Sequence, residues 1–310
     1  MMGSVTEVVA VDYSQVEKEL RKTCPRGVRV DEPMSKHTTI GAGGTVRFLA
    51  VPQNVSELVA VVRTALKYDV DYLAIGRGSN LLVRDGGFNG LAIKVANNLA
   101  NLRLYKRTAY AEAGASFTRL GRILTRHGRP HFEFAIGIPG SVGGAVRMNA
   151  GAYGSELSRV LKSTKIITTD GRITILKPEQ LAFRYRGSSL PRRAIVISSI
   201  FWCPPGEVDQ AVLKQALSRK DTQPIADRSF GSTFKNPPGS FAAQMIDRCG
   251  LKGMRRGGAM ISKKHANFVI NVGDNTKVSD IESLMEFVIA RVKDRFGVTL
   301  EPEVIIIGNP

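Results

Sequence analysis

Three cysteines in 310 residues, Cys24, Cys203 and Cys249, are odd in number, far apart and without metal-ligand spacing. That excludes a disulfide framework and reads as structural thiols in a reducing compartment. Histidine is equally sparse, with four in the chain. His37 and His265 each stand beside lysines, able to meet a phosphate or to be satisfied structurally, but neither has the paired spacing of a metal site, and no metal is expected. Long apolar runs are missing. The longest stretches, residues 194–202 and 304–307, fall far short of the roughly 20 residues that cross a bilayer. The start lacks a basic segment followed by an apolar core, and Glu7, Asp12 and Glu17 arrive early. No secretory signal is expected, so a cytoplasmic location follows. Repeats and low-complexity tracts are absent as well.

What is present in excess is positive charge: 44 Lys and Arg against 27 Asp and Glu, a net +17 and a pI of about 10.1. Such a field concentrates anionic partners. Nucleic acid is the first candidate, yet residues such as Arg119, Arg122, Arg126 and Arg129 are scattered rather than interleaved with stacking aromatics. A phosphorylated small substrate accounts for the charge as well, and no nucleic-acid partner is expected. With 43% hydrophobic and 23% charged residues the composition is that of a globular protein, and the length allows two or three domains.

Strand and helix signals alternate along the chain. After Pro52, Ser56 stands where a cap belongs, ahead of Leu58, Val61, Val62, Ala65 and Leu66 at helical spacing. Strands are predicted over 72–75 and 91–95. A second amphipathic helix covers 116–128, with Leu120, Ile123 and Leu124 inward and Gly128 as the stop. Asp170-Gly171 separates two β-branched runs over 165–176, the strongest short-range signal of a hairpin. A strand at 194–202 and a helix over 207–220 follow. Ser279 and Glu282 form a capping-box pattern ahead of Ile281, Leu284, Met285, Val288 and Val292, with Gly297 ending the helix. A strand at 303–307 closes an α+β architecture and is expected to return to the first domain.

Two Gly-rich loops carry the first chemical signal. Gly76-Arg77-Gly78-Ser79-Asn80-Leu81 follows a strand and can present backbone amides to a pyrophosphate. It is not a dinucleotide fingerprint, because Leu81 stands where the third glycine belongs. The second loop runs through Pro139, Gly140, Ser141, Gly143 and Gly144 to Asn149, Gly151, Ala152, Tyr153 and Gly154. Two such loops suit an extended anionic cofactor better than either suits a lone turn, although a pair of structural loops remains the plain reading. The set Gly231-Ser232-Thr233-Phe234-Lys235-Asn236 places hydroxyl, cation and amide groups on a turn, and Ser232 has no triad partners in sequence. Tyr185-Arg186 offers a fork for a carboxylate. Glu303 follows Pro302 at the mouth of an apolar strand, facing a pocket or water.

Taken together, these segments resemble the UDP-N-acetylenolpyruvoylglucosamine reductases of bacterial peptidoglycan precursor synthesis. The resemblance also takes in Lys36-His37-Thr38-Thr39, Gly43-Gly44, Ser188, Gly250 to Gly253 and Leu300, and spans nearly the whole chain. It implies an α+β, two-domain vanillyl-alcohol-oxidase-type FAD-binding fold with a third α+β substrate-binding domain. The domains are then 1–100 with the strand of 298–310 returning to it, 101–205, and 206–297. It implies FAD as cofactor, held by Gly76 to Leu81, Pro139 to Gly144 and Asn149 to Gly154, and NADPH as hydride donor. The substrate implied is a UDP-sugar enolpyruvyl ether, met by Tyr153, Tyr185, Arg219, Lys235, Asn236 and His265. Arg186 matches the residue that stabilises enolate charge, Glu303 stands beside it, and Ser232 matches the serine that protonates the adjacent carbon. Two departures matter. The connection from Ser188 to Ala194 is short, which resembles the branch lacking a tyrosine-bearing lid, and Thr222 stands where many relatives carry lysine. A flavin oxidase or dehydrogenase of the same fold with another substrate is the competing reading, and a monomer is the default.

Overall fold

The protein is described by a computed structural model over residues 11–310. Helix α1 (Tyr13–Thr23) is capped by the Asp12 carboxylate and buries Val16 and Leu20. Strand β1 (Val28–Pro33) pairs antiparallel with β2 (Thr45–Ala50). Helix α2 (Val55–Lys67) buries Leu58, Val61, Val62 and Ala65, the face marked by the 3.6-residue spacing. Its cap is Asn54, whose side chain accepts from the Glu57 N–H at 2.9 Å. Ser56 already lies in the first turn, so its hydroxyl is one step too late to serve there. Strands β3 (Tyr72–Ile75), β4 (Leu81–Val83) and β5 (Phe88–Lys94) follow, and β5 lies parallel to both β2 and β3 in a four-stranded sheet of order β1-β2-β5-β3. The first Gly-rich loop leaves the carboxyl end of β3, the edge of a parallel sheet at which ligands meet backbone.

The middle of the chain forms β6 (Leu102–Leu104), β7 (Thr108–Glu112), α3 (Phe117–Arg126), α4 (Val142–Arg147) and the short pair β8 (Gly151–Ala152) and β9 (Ser155–Glu156). It ends with β10 (Leu161–Ile167), β11 (Ile173–Leu176) and β12 (Ile195–Trp202). The five long strands make an antiparallel sheet of order β11-β10-β12-β7-β6. Helix α4 packs on β12 and β7, and Phe132 meets Phe201 edge-on with ring centres 5.7 Å apart. The β10–β11 hairpin is closed by Gly171 at φ +80° while Asp170 keeps an ordinary φ, so a turn ending in a left-handed glycine replaces a two-residue turn on that pair.

The last third holds α5 (Gln210–Leu217), α6 (Arg219–Thr222), α7 (Ala242–Arg248), β13 (Arg255–Arg256), β14 (Ala259–Ile261), β15 (Val269–Asn271) and α8 (Val278–Phe296). The single helix expected over 207–220 is two helices, started by the Asp209 cap and broken at Ser218. The Ser279–Glu282 box does not form. The N–H groups of Val278 and Ser279 donate to the Asp85 carboxylate at 2.8 and 2.9 Å, and Glu282 pairs with Arg84 at 3.0 Å. The cap therefore comes from the loop after β4, which a local pattern cannot show. Strand β16 (Ile305–Ile307) lies parallel to β4, pairing Ile305 with Leu81 and Ile307 with Val83, so the end of the chain sits beside the exit of the first Gly-rich loop.

Candidate active site

Both Gly-rich loops face one cavity of about 500 Å³. They also touch each other. A Cβ on Gly76 would stand 2.2 Å from Ser141 Oγ, and Ser79 Oγ donates to the Pro139 carbonyl at 3.2 Å. Gly78 takes φ +67°, and a Cβ there would lie 2.0 Å from the His37 carbonyl oxygen, so neither glycine tolerates a side chain without movement. Among the described residues, nothing accepts a hydrogen bond from the backbone N–H groups of Arg77, Gly78, Ser79 or Asn80. Four consecutive free donors on a cavity wall form the concave amide surface that binds anions. The support beneath is ionic: His37 lies between Glu32 Oε1 and Lys94 Nζ, each 2.9 Å from a ring nitrogen. An ammonium only donates, so Nδ1 accepts from Lys94 and Nε2 carries the proton given to Glu32. Burial, the largest influence on His37, and Lys94 beside it hold that imidazole below its ordinary pKa.

On the facing wall, Ser232 and Glu303 are brought together by a short antiparallel ladder. Glu303 N–H donates to the Thr233 carbonyl at 2.8 Å and Lys235 N–H to the Glu301 carbonyl at 2.9 Å, with Phe234 opposite Pro302. Proline is tolerated because its missing donor falls at a position that needs none. The ladder is locked by Asn267, whose side chain accepts from Phe234 N–H at 2.9 Å and donates to Phe234 O at 2.8 Å. Arg186 arrives from the turn after residue 182 with φ +54°, and its Nε lies 3.2 Å from Glu303 Oε1. The two side chains are only 19% and 18% exposed, which makes this a largely desolvated pair. Arg186 also donates to the Gly151 carbonyl at 2.7 Å and lies over the Tyr185 ring. Burial dominates Glu303 and raises its carboxyl above the usual range, although Arg186, Lys235 and Arg219 pull the other way.

Most of the residues singled out in the sequence line this one cavity, including Gly76 to Leu81, Pro139, Gly140, Ser141, Gly144, Gly151, Ala152, Tyr153, Tyr185, Arg186, Arg219, Ser232, Asn236 and Glu303. Five do not. Gly143 lies in the first turn of α4 on the side packed against Ala113, to whose carbonyl its N–H donates. Asn149 is fully buried and bonds the Arg184 carbonyl and the Ser158 N–H. Gly154 serves the β8–β9 turn at φ +73°. Lys235 turns to Glu301 at 3.1 Å, and His265 packs edge-on against Phe268. Asn236 faces the cavity while its Oδ1 accepts from Ala242 N–H at the start of α7. Arg219 is bound by the Gly137 carbonyl and by Gln223. The lining residues without a sequence signal include Asn267, Gln223, and Arg147, whose guanidinium clamps the Leu190 and Pro191 carbonyls at 3.1 Å.

Comparison with known proteins gives this cavity its context. Residues 46–177 match a family described as FAD binding domain, and 223–307 match the C-terminal domain of UDP-N-acetylenolpyruvoylglucosamine reductase. The reductase of that name from Syntrophomonas wolfei is 39% identical over 289 residues, covering 92% of this chain and 96% of its own. The Streptococcus pneumoniae protein is 44% identical, covering 91% and 94%. The chain belongs to the UDP-N-acetylenolpyruvoylglucosamine reductase family. The crystal structure of the Thermus caldophilus reductase, 32% identical, superimposes with a TM-score of 0.75 and covers 90% of this chain and 99% of that one. As a member of this family the protein is an FAD-dependent oxidoreductase, and its fold is the α+β class expected, with an FAD-binding region followed by the family's C-terminal domain. Among the described residues no helix is long and apolar enough to cross a membrane, and no cluster of His, Cys, Asp and Glu has metal-binding geometry.

Proposed function

We propose that this chain reduces UDP-N-acetylglucosamine enolpyruvate to UDP-N-acetylmuramate with NADPH as the electron donor. The observation that carries the reading is the convergence of Ser232, Arg186 and Glu303, from three separate parts of the chain, on the cavity walled by the two Gly-rich loops. The wall fits FAD: the unpartnered amides of Arg77 to Asn80 suit its pyrophosphate, and Gly140, Ser141 and Gly144 complete the cradle. FAD, when bound, supplies the relay that takes hydride from NADPH and passes it to the enolpyruvyl methylene carbon.

The chain supplies the rest. Reduction at the methylene leaves negative charge delocalised into the substrate carboxylate, and the Arg186 fork, preorganised by Glu303 and by Gly151 O, stabilises that charge as it develops. Ser232 gives its hydroxyl proton to the neighbouring carbon, which completes the lactyl ether. The Asn267 clamp holds the serine's strand still while this happens. Arg219, Tyr153 and Asn236 meet the nucleotide-sugar, and Lys235 and His265 act from behind this wall.

The test separates the two half-reactions under anaerobic conditions. NADPH should bleach the bound flavin in wild type and in Ser232→Ala alike, and UDP-N-acetylglucosamine enolpyruvate should restore the colour in wild type only. A loss of roughly 10²- to 10⁴-fold in that second step is expected. Equal loss in both steps would make Ser232 structural. No substrate-dependent reoxidation in wild type would reject the substrate in favour of another flavin reaction on the same fold.

A further inference from the structure

The charge that a small anionic substrate was invoked to explain is unevenly placed. Residues 101–205 hold 17 Lys and Arg against five Asp and Glu, which is +12 of the chain's +17. Of these residues, Arg103, Arg107, Lys162 and Lys165 stand on or beside the outer face of the five-stranded sheet. The other face is covered by α4 and the core around Phe201, and α4 separates the sheet from the cavity.

Strand register defines what the outer face shows. One cross-strand row places Ile175 beside Lys165. The next places Ile200 beside Tyr110, and Tyr110 beside Arg103. Trp202 is paired with Thr108, and Lys162 sits at a bulge next to it. Ile175 is 63% exposed, Trp202 44% and Tyr105, at the end of β6, 51%. The carboxylate registered on this face, Glu112, already accepts from the Asn101 backbone at 2.8 Å, and Asp170 at the hairpin tip is paired with Arg172 at 2.7 Å.

We propose that this sheet face docks on an anionic phospholipid bilayer. Exposed isoleucine, tryptophan and tyrosine fit the boundary between headgroups and acyl chains, and flanking lysines and arginines are attracted by the negative surface potential. Single-stranded nucleic acid fits less well. Arg107 and Lys162 lie over the Trp202 ring, at 4.9 and 6.0 Å from its centre, where a base would have to stack, and isoleucines offer bases no stacking surface. Docking by this face leaves the cavity, beyond α4, open to a soluble substrate.

Trp202 is the chain's one tryptophan, so its emission reports this face directly. The FAD-loaded full-length protein is titrated with vesicles of phosphatidylcholine and with vesicles of phosphatidylglycerol and phosphatidylcholine in equal parts, at low and high salt, with sedimentation alongside. The expected result is a blue shift and co-sedimentation with the anionic vesicles only, weakened at high salt. Lys162→Glu with Lys165→Glu should weaken binding at least tenfold and leave turnover unchanged. The control Arg122→Glu with Arg126→Glu, on α3, should change binding less than threefold. Equal loss from both pairs would reduce the effect to net charge and overturn the proposal. So would the absence of any blue shift, or a deoxythymidine oligonucleotide that quenches Trp202 and displaces the vesicles.

Discussion

The two walls of the cavity are built from different material. The wall proposed to hold FAD is mostly backbone: glycines whose neighbours leave no room for a Cβ, and amides left free to donate. The wall proposed to hold substrate is mostly side chain: an arginine and a glutamate paired across 3.2 Å, a serine on a short ladder, and an asparagine that locks it. A phosphate-rich cofactor asks for many modest donors in a fixed curve, which backbone provides. A developing enolate asks for one strong, directed charge, which backbone lacks.

The sharpest way to test that division is to damage one wall and read the other. Arg186→Lys keeps the charge but loses the fork shared between Glu303 and Gly151 O. Substrate-dependent reoxidation should fall roughly 10²-fold, with flavin content and its reduction by NADPH unchanged. Rapid-reaction absorbance of the two half-reactions checks this, and equal loss in both would merge the walls. Asn267→Ala leaves the buried Phe234 N–H and carbonyl without partners, at a cost of roughly 1–3 kcal/mol. We expect a lower melting temperature together with a slower substrate step at unchanged flavin affinity. A lower melting temperature with a normal substrate step would show that the ladder does not need its lock.

The converse damage is Gly76→Ala. Its Cβ meets Ser141 Oγ, so the two loops must part, and overpacking of this kind costs roughly 1–3 kcal/mol. FAD should bind about tenfold more weakly, which is about 1.4 kcal/mol, measured by fluorescence titration of the apoprotein. The double variant Gly76→Ala with Ser141→Gly should recover most of the loss. No recovery would mean that the contact between loops is not what fixes the cradle.

This contrast also explains what was legible beforehand. Helix α2 and the β10–β11 hairpin announce themselves because apolar spacing and a left-handed glycine are local facts. The glycine loops were readable for the same reason: a run of residues unfit for helix or strand needs another explanation. Asp85 capping α8 and Asn267 locking Phe234 join residues 193 and 33 positions apart, and no periodicity encodes such bonds. The trio of Ser232, Arg186 and Glu303 is named through likeness to a family, since taken singly a turn serine, a solvated arginine and a glutamate facing water account for the same residues. The same likeness implies cofactor contact for Gly143 and Asn149, and no local pattern shows that Gly143 packs on Ala113 or that the Asn149 amide donates to the Arg184 carbonyl.

The smallest effect expected lies beneath the backbone wall. His37 is held neutral between Glu32 and Lys94, and its carbonyl is the contact that keeps Gly78 free of a side chain. With the folded-state pKa held below the ordinary 6.5, the unfolded chain takes up a proton that the fold refuses. Stability should therefore be flat above that value and fall as pH drops through it, down to the folded pKa. His265, lowered first by its burial and then by Arg219, adds a contribution of the same sign. His37→Gln offers one donor and one acceptor without a titrating ring, so it should keep both bonds and make the acid slope of the urea midpoint shallower. An unchanged slope would place the acid sensitivity elsewhere, and the backbone wall would then owe nothing to the ionic triad under it.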